Sequence, residues 1–414
     1  MSEPSSEGLP SEPGEIFLHI LDPAKRGRNL VVLYHRLRSV APIYQAQHPR
    51  LGRPWVVTRH ADDVALVRNP GLVKDERILA LSGIGPGEPL YEILRRMFAF
   101  NPPPRHTRLR SLVNRGFTPR SVEQLRGRIR ELADSLIEAR LADGQMDLVA
   151  DYAFPISVGV ICEMIGAPVE DVPRIEGWAT AISARADEGA VPSPESARIA
   201  DDAARGFLGY LRGLIAERRR VPQDDLVSRL LAVQREADDL ADEDIAATAI
   251  LLFQAGHETT ANMIGKGALA LLQHPAELAK LRAHPALIAN ATEELLRYDT
   301  PVQLTTKFAS RDIPFHDRII REGDPVMLVW GAVNRDPERY ADPDRLDLER
   351  PDIDHHSFGM GAHYCLGAAL ARLEVEQTIL ALVRHLPGLR LATDELVYKP
   401  QLHLHGLATL PVAW

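Results

Sequence analysis

Residues 357–370, SFGMGAHYCLGAAL, put a thiol in an unusual setting. Cys365 follows Gly359 and Gly361 and precedes Gly367, after which ALARLEVEQTILALV reads as an amphipathic helix. A thiol at the mouth of a helix is acidified, because backbone N–H groups and the positive helix end favour the thiolate. The glycines let backbone close on something flat or bulky. A zinc site is missing its companion ligands, and a nucleophile is missing a partner base. The plainer alternative is a buried packing cysteine beside a turn.

Three other constellations carry chemistry. Ala255-Gly256-His257-Glu258-Thr259-Thr260 places an acid and a hydroxyl in an otherwise apolar run. Burying that carboxylate without a partner is costly. Either Glu258 reaches a surface and Thr259 bonds a carbonyl one turn back, or the pair moves protons in a groove loosened by Gly256 and Thr259. Glu294-x-x-Arg297 is an i, i+3 acid–base pair on one helix face. Pro102-Pro103-Pro104-Arg105-His106-Thr107-Arg108-Leu109-Arg110 sets His106 and Arg110 at i and i+4. Arg105, Arg108, Arg110, Arg115 and Arg120 follow one another with no acid between them, a solvated basic face or an anion site.

The elements that must position these groups are mostly helical. Residues 245–272 form the longest apolar run, broken by Gln254, His257, Glu258, Asn262 and Lys266. Those polar positions count against a membrane span and predict one long helix inside a globular protein. Residues 120–141, 201–219 and 224–234 read as further amphipathic helices, and residues 53–58 and 326–330 as short strands. Residues 186–196, ADEGAVPSPES, read as a mobile loop, and the polar residues 1–15 as a loose tail without a signal peptide. With 414 residues and 45% apolar content, the chain can bury a large core. Its 48 basic and 57 acidic residues give a net charge of −9, which argues against a nucleic-acid binder. Two cysteines exclude a disulfide framework and fit a reduced, cytoplasmic protein.

Phe358-Gly359-x-Gly361-x-His363-x-Cys365-x-Gly367 resembles the haem-binding signature of the cytochrome P450 family, the haem-thiolate monooxygenases. The resemblance spans about residues 16–414 and implies a mainly α fold with small β-sheets, as one large helical domain around a haem. It makes Cys365 the axial thiolate of haem b, held non-covalently because no C-x-x-C-H occurs. It makes Glu258 and Thr259 the catalytic acid–alcohol pair, with Ala255 and Gly256 beside the cofactor. His106, Arg110 and His363 become propionate ligands, joined by Lys307 where the family most often has Arg. Glu294, Arg297 and Arg350 become a network stabilising the cysteine loop, and Asn334-Arg335-Asp336-Pro337 also matches the family.

The implied reaction is hydroxylation or epoxidation of an apolar small molecule by O2, such as a fatty acyl chain, macrolide, terpenoid or steroid. Val302, Leu304 and Thr305, with residues 402–407, would line the pocket, and residues 79–100 and 186–196 would cover it. No flavin or nicotinamide fingerprint occurs, so a ferredoxin or flavodoxin with its reductase would supply electrons. It would dock by the basic stretch on the thiolate side, near Arg108 and Arg372. No membrane insertion is expected, and the protein is expected to be a monomer. The rival readings are a peroxide-driven peroxygenase, which would lack the acid–alcohol pair, and a haem sensor or carrier, which would need an output module.

Overall fold

The structure, a computed structural model, describes residues 8–48, 52–187, 193–236 and 240–414. The backbone groups into two compact units that alternate along the chain. One takes residues 1–73, 126–156 and 259–414; the other takes 74–125 and 157–258.

In the first unit a five-stranded sheet runs in the order Ile43–Gln45, Trp55–Val57, Pro325–Leu328, Thr305–Ala309, Leu72–Val73. Trp55 pairs with Val326 in parallel, and Thr305 pairs with Leu328 in antiparallel register. One face of the sheet buries Val57, Val326 and Leu328 with Leu66 and Val67 of the His60–Val67 helix. Three smaller sheets complete the β content among the described residues, and helices make up most of the remainder, as expected for a mainly α protein. Helix Pro13–Leu21 begins inside the segment read as a tail, and the carbonyls of Leu9 and Pro10 accept hydrogen bonds from Arg36.

The second unit is helical. Val172–Asp187 packs on Pro194–Arg220, with Trp178 stacked on Phe207 at 5.7 Å. Gly206 makes that approach possible, since a Cβ there would lie 2.6 Å from the Trp178 indole nitrogen. Of the loop read at 186–196, residues 188–192 lie outside the described residues, while Ala186 and Asp187 close one helix and Pro194 opens the next.

The long helix is present as Asp242–Gln273, with Asp242, Glu243 and Asp244 in its first turn, where they complement the helix dipole. No helix among the described residues is long and apolar enough to cross a membrane. Two sequence expectations shift. The helix read over 120–141 is two helices, Pro119–Glu123 and Arg126–Glu138, and the break falls where the chain passes from one unit to the other. The strand read over 326–330 ends at Leu328, and Trp330–Val333 turns into a short helix. Gly331 there donates its N–H to the Gln303 carbonyl at 3.0 Å.

Candidate functional site

The cysteine loop is built by backbone geometry that only glycine adopts easily. Gly359 and Gly361 have φ of +67° and +71°. A Cβ on Gly359 would stand 3.1 Å from the Trp330 ring, and one on Gly361 would stand 3.3 Å from Val67. The Cys365 N–H donates to the Phe358 carbonyl at 2.8 Å and closes the loop. Gly367 caps the helix Ala368–His385, so Cys365 stands just ahead of a helix N-terminus. Cys365 is exposed, whereas Cys162 is buried and its thiol is pushed up to about 12 by desolvation. Half-buried His363 lies in the short turn Gly361–His363.

Polar braces hold the loop. The Asn334 side chain donates to Ser357 Oγ at 2.9 Å and accepts from the His356 N–H at 2.7 Å. Arg372 lies over the Phe358 ring at 4.5 Å and donates to Glu293 and to the Tyr364 hydroxyl. Burial would raise the Glu293 carboxyl, but hydrogen bonds from Arg372 and His355 outweigh it and hold the group down at about 2. Arg372 is thus bound into the loop.

Glu294, Arg297 and Arg350 come together in the interior. Arg297 grips Glu294 with two bonds of 2.7 and 2.9 Å, and Arg350 Nε donates to the same carboxylate at 3.1 Å. Their remaining N–H groups donate to the carbonyls of Asn334, Pro343, Ala341 and Asp342. Every charge is paired and the segment 334–350 is pinned.

In the long helix the residues around 251–260 are buried on all sides but one. Ala255 is exposed, and Gly256, Glu258 and Thr259 are partly open, while Phe253, His257 and Thr260 are buried. The spacing of three and four puts Ala255, Glu258 and Thr259 on one open face. The helix is continuous from Asp242 to Gln273, through Gly256 and Thr259. Gly256 admits the neighbouring helix, since a Cβ there would sit 3.1 Å from Ile161. His257 Nδ1 donates to the Phe253 carbonyl of its own turn at 2.8 Å, and its ring stacks on the Phe253 ring.

His106 and Arg110 share the helix Arg105–Gly116, the first buried beside Phe98 and the second half-buried. Lys307, in the strand Thr305–Ala309, is 6% exposed. Desolvation lowers its ammonium below the ordinary lysine value, and Asp63 only partly offsets that. Among the described residues no carboxylate is in ion-pair distance of it, so this cation calls for an anion. Val302 pairs with Leu404 through an antiparallel bridge, and Leu304 and Thr305 are buried beside it in the sequence.

Sequence reasoning missed what holds that bridge. Arg26 is almost fully buried and donates to the carbonyls of Gln401, Leu402 and Leu404. Beneath it, Lys266 pairs with Asp299 at 2.6 Å and stands 3.2 Å from His405 Nδ1. Lys266 as a polar break in the apolar helix was the available signal. Arg26 gave none.

The donor set fits a haem. It offers one soft thiol on a glycine-walled loop at a helix mouth, and a buried cation that, among the described residues, has no carboxylate in ion-pair distance and so suits a propionate. Comparison with known proteins points the same way. The family model for cytochrome P450 matches residues 193–399. A vitamin D(3) 25-hydroxylase from Pseudonocardia autotrophica is 42% identical, over 92% of this chain and 92% of its own. A biotin biosynthesis cytochrome P450 from Bacillus subtilis is 38% identical, over 94% of this chain and 96% of its own. The crystal structure of P450BioI with an acyl carrier protein bearing hexadec-9Z-enoic acid aligns with a TM-score of 0.87 at 37% identity. That alignment covers 94% of this chain and 99% of P450BioI.

Proposed function

The chain belongs to the cytochrome P450 family and is an oxidoreductase of that haem-carrying group, and from that premise we propose that it hydroxylates or epoxidises an apolar small molecule on a non-covalently held haem b. The observation that carries this reading is Cys365, exposed at the mouth of an 18-residue helix on a loop walled by two left-handed glycines. The bound haem supplies the activation of O2: substrate R–H, O2, two electrons and two protons give R–OH and water.

The chain's own residues do the rest. Cys365 Sγ, favoured as thiolate by the helix end, would be the residue that ligates the haem iron. Phe358, Gly359, Gly361 and Gly367 would shape the loop for the haem, and Ala255 and Gly256 would keep the long helix slim beside it. His106, Arg110, Lys307 and His363 would hold the propionates. Thr259 Oγ1 hands on a proton, and the Glu258 carboxyl replaces it from solvent, consistent with its half-open position. Val302, Leu304 and Thr305 line the substrate side. The aliphatic Val302 and Leu304 support an apolar substrate, and so do a relative named as a vitamin D(3) 25-hydroxylase and one solved with an acyl carrier protein bearing a fatty acid. Electrons come from a ferredoxin or flavodoxin with its reductase.

The test is optical. Reduced protein under carbon monoxide should show the red-shifted Soret band of thiolate ligation, and Cys365→Ser should lose the shift. A shift that persists in that variant would remove Cys365 as the ligand. Thr259→Ala should raise the electrons consumed per product formed while substrate binding stays intact. Unchanged coupling would take Thr259 out of the proton path.

A further inference from the structure

We propose that His60, Asp354 and His356 form a binding site for a divalent transition-metal ion of the zinc class, separate from Cys365. Their ligand atoms all lie within 4.8 Å of one another. His356 is 1% exposed, and its Nδ1 lies 2.6 Å from the carboxylate of Asp63, which is fully buried. A carboxylate can only accept, so Nδ1 carries the proton and the lone pair sits on Nε2. That Nε2 is buried and has no hydrogen-bond partner among the described residues. An imidazole oriented by a carboxylate on one nitrogen with a bare lone pair on the other is how metal-binding histidines are set.

His60 completes the pair. Its ring centre is 4.5 Å from that of His356, and its Nε2 lies 3.0 Å from the Asp354 carbonyl and 3.7 Å from the Asp354 carboxylate. The Asp354 side chain is 55% exposed, so it can turn to meet an ion arriving from solvent, with water filling the open position. Two imidazoles and one carboxylate suit zinc, cobalt or nickel better than calcium or magnesium. The charge balance agrees: Asp63 is buried with one oxygen unpartnered, and Asp354 adds a second negative charge.

The position gives the site a consequence. Asp354 and His356 lead directly into Ser357 and the cysteine loop, and His60 opens the helix His60–Val67, whose last residue packs toward Gly361. An ion there ties the start of the loop to the helix that its second glycine faces. The competing occupant is a proton, which would make His356 and Asp63 a simple buried ion pair.

The experiment titrates zinc into chelator-washed holoenzyme against a chromogenic chelator. One zinc ion per chain should bind at this site, and it should raise the melting temperature. Asp354→Asn, an exposed change that leaves the interior alone, should weaken binding at least tenfold and remove the thermal shift. Asp63→Asn, which disorients His356, should weaken it 10–100-fold. No zinc uptake, or equal affinity in the wild type, Asp354→Asn and His60→Gln, would overturn the proposal in favour of the ion pair or of scattered surface histidines.

Discussion

Lys307 shows what a single residue can demand. A buried ammonium depressed by desolvation is stable only beside an anion, and among the described residues no carboxylate is in ion-pair distance. If a propionate is that anion, Lys307→Met should leave purified protein with clearly less haem per chain after gel filtration, and Lys307→Arg should restore it. Equal haem content in all three would free Lys307 from that role. Glu294 poses the opposite case, a carboxylate gripped by two guanidinium groups. Glu294→Gln leaves Arg297 and Arg350 buried with their charge uncompensated, which costs about 3–5 kcal/mol. A large drop in the urea midpoint should follow, and a drop of less than about 1 kcal/mol would mean solvent reaches the pair. The Glu294–Arg297 pair was legible in sequence because its motif is local. The Asn334 brace was not, although Asn334 stood in a matched motif, because its bonds to His356 and Ser357 join positions more than 20 residues apart.

At the scale of elements, the sheet strand Thr305–Ala309 and the bridge at Val302 depend on a polar layer beneath them. The Gln303 N–H donates to the His403 carbonyl, the His405 N–H donates to the Pro301 carbonyl, and Tyr398 stacks on the His405 ring at 4.4 Å. Burial, then the charge on Lys266, pushes His405 from 6.5 down to about 4. The folded state therefore holds this ring neutral, while the unfolded chain takes up a proton near pH 6.5. The stabilisation is complete above pH 6.5, fades as pH falls toward 4, and is flat below that. Its ceiling is about 3 kcal/mol for a shift of that size. Chemical denaturation between pH 7 and 4 should trace this slope, and His405→Gln should flatten it. An unaltered slope would assign the pH response to other groups. The long helix and the cysteine helix were readable from their periodicity. The break near residue 125 was not, because the apolar rhythm continues across it and the chain's passage between units leaves no mark in composition.

At the scale of the whole molecule, a net charge of −9 should repel an acidic electron donor unless positive charge is gathered locally. The sequence gathers it in residues 105–120, and the structure narrows that run. Arg105, Arg108 and Arg120 are exposed there, while Arg115 pairs with Glu236, as Arg372 does with Glu293. Local attraction set against general repulsion gives a definite salt response. Raising ionic strength screens the short-range attraction, so reduction by an acidic ferredoxin should slow with salt. Reversing Arg105 and Arg108 together to Glu should cut the second-order reduction rate roughly tenfold at low salt. It should also invert the salt dependence, because only the repulsion is then left to screen. The carbon monoxide spectrum of the variant checks that the haem site is unharmed. A rate and salt slope equal to wild type would move the docking surface away from this helix.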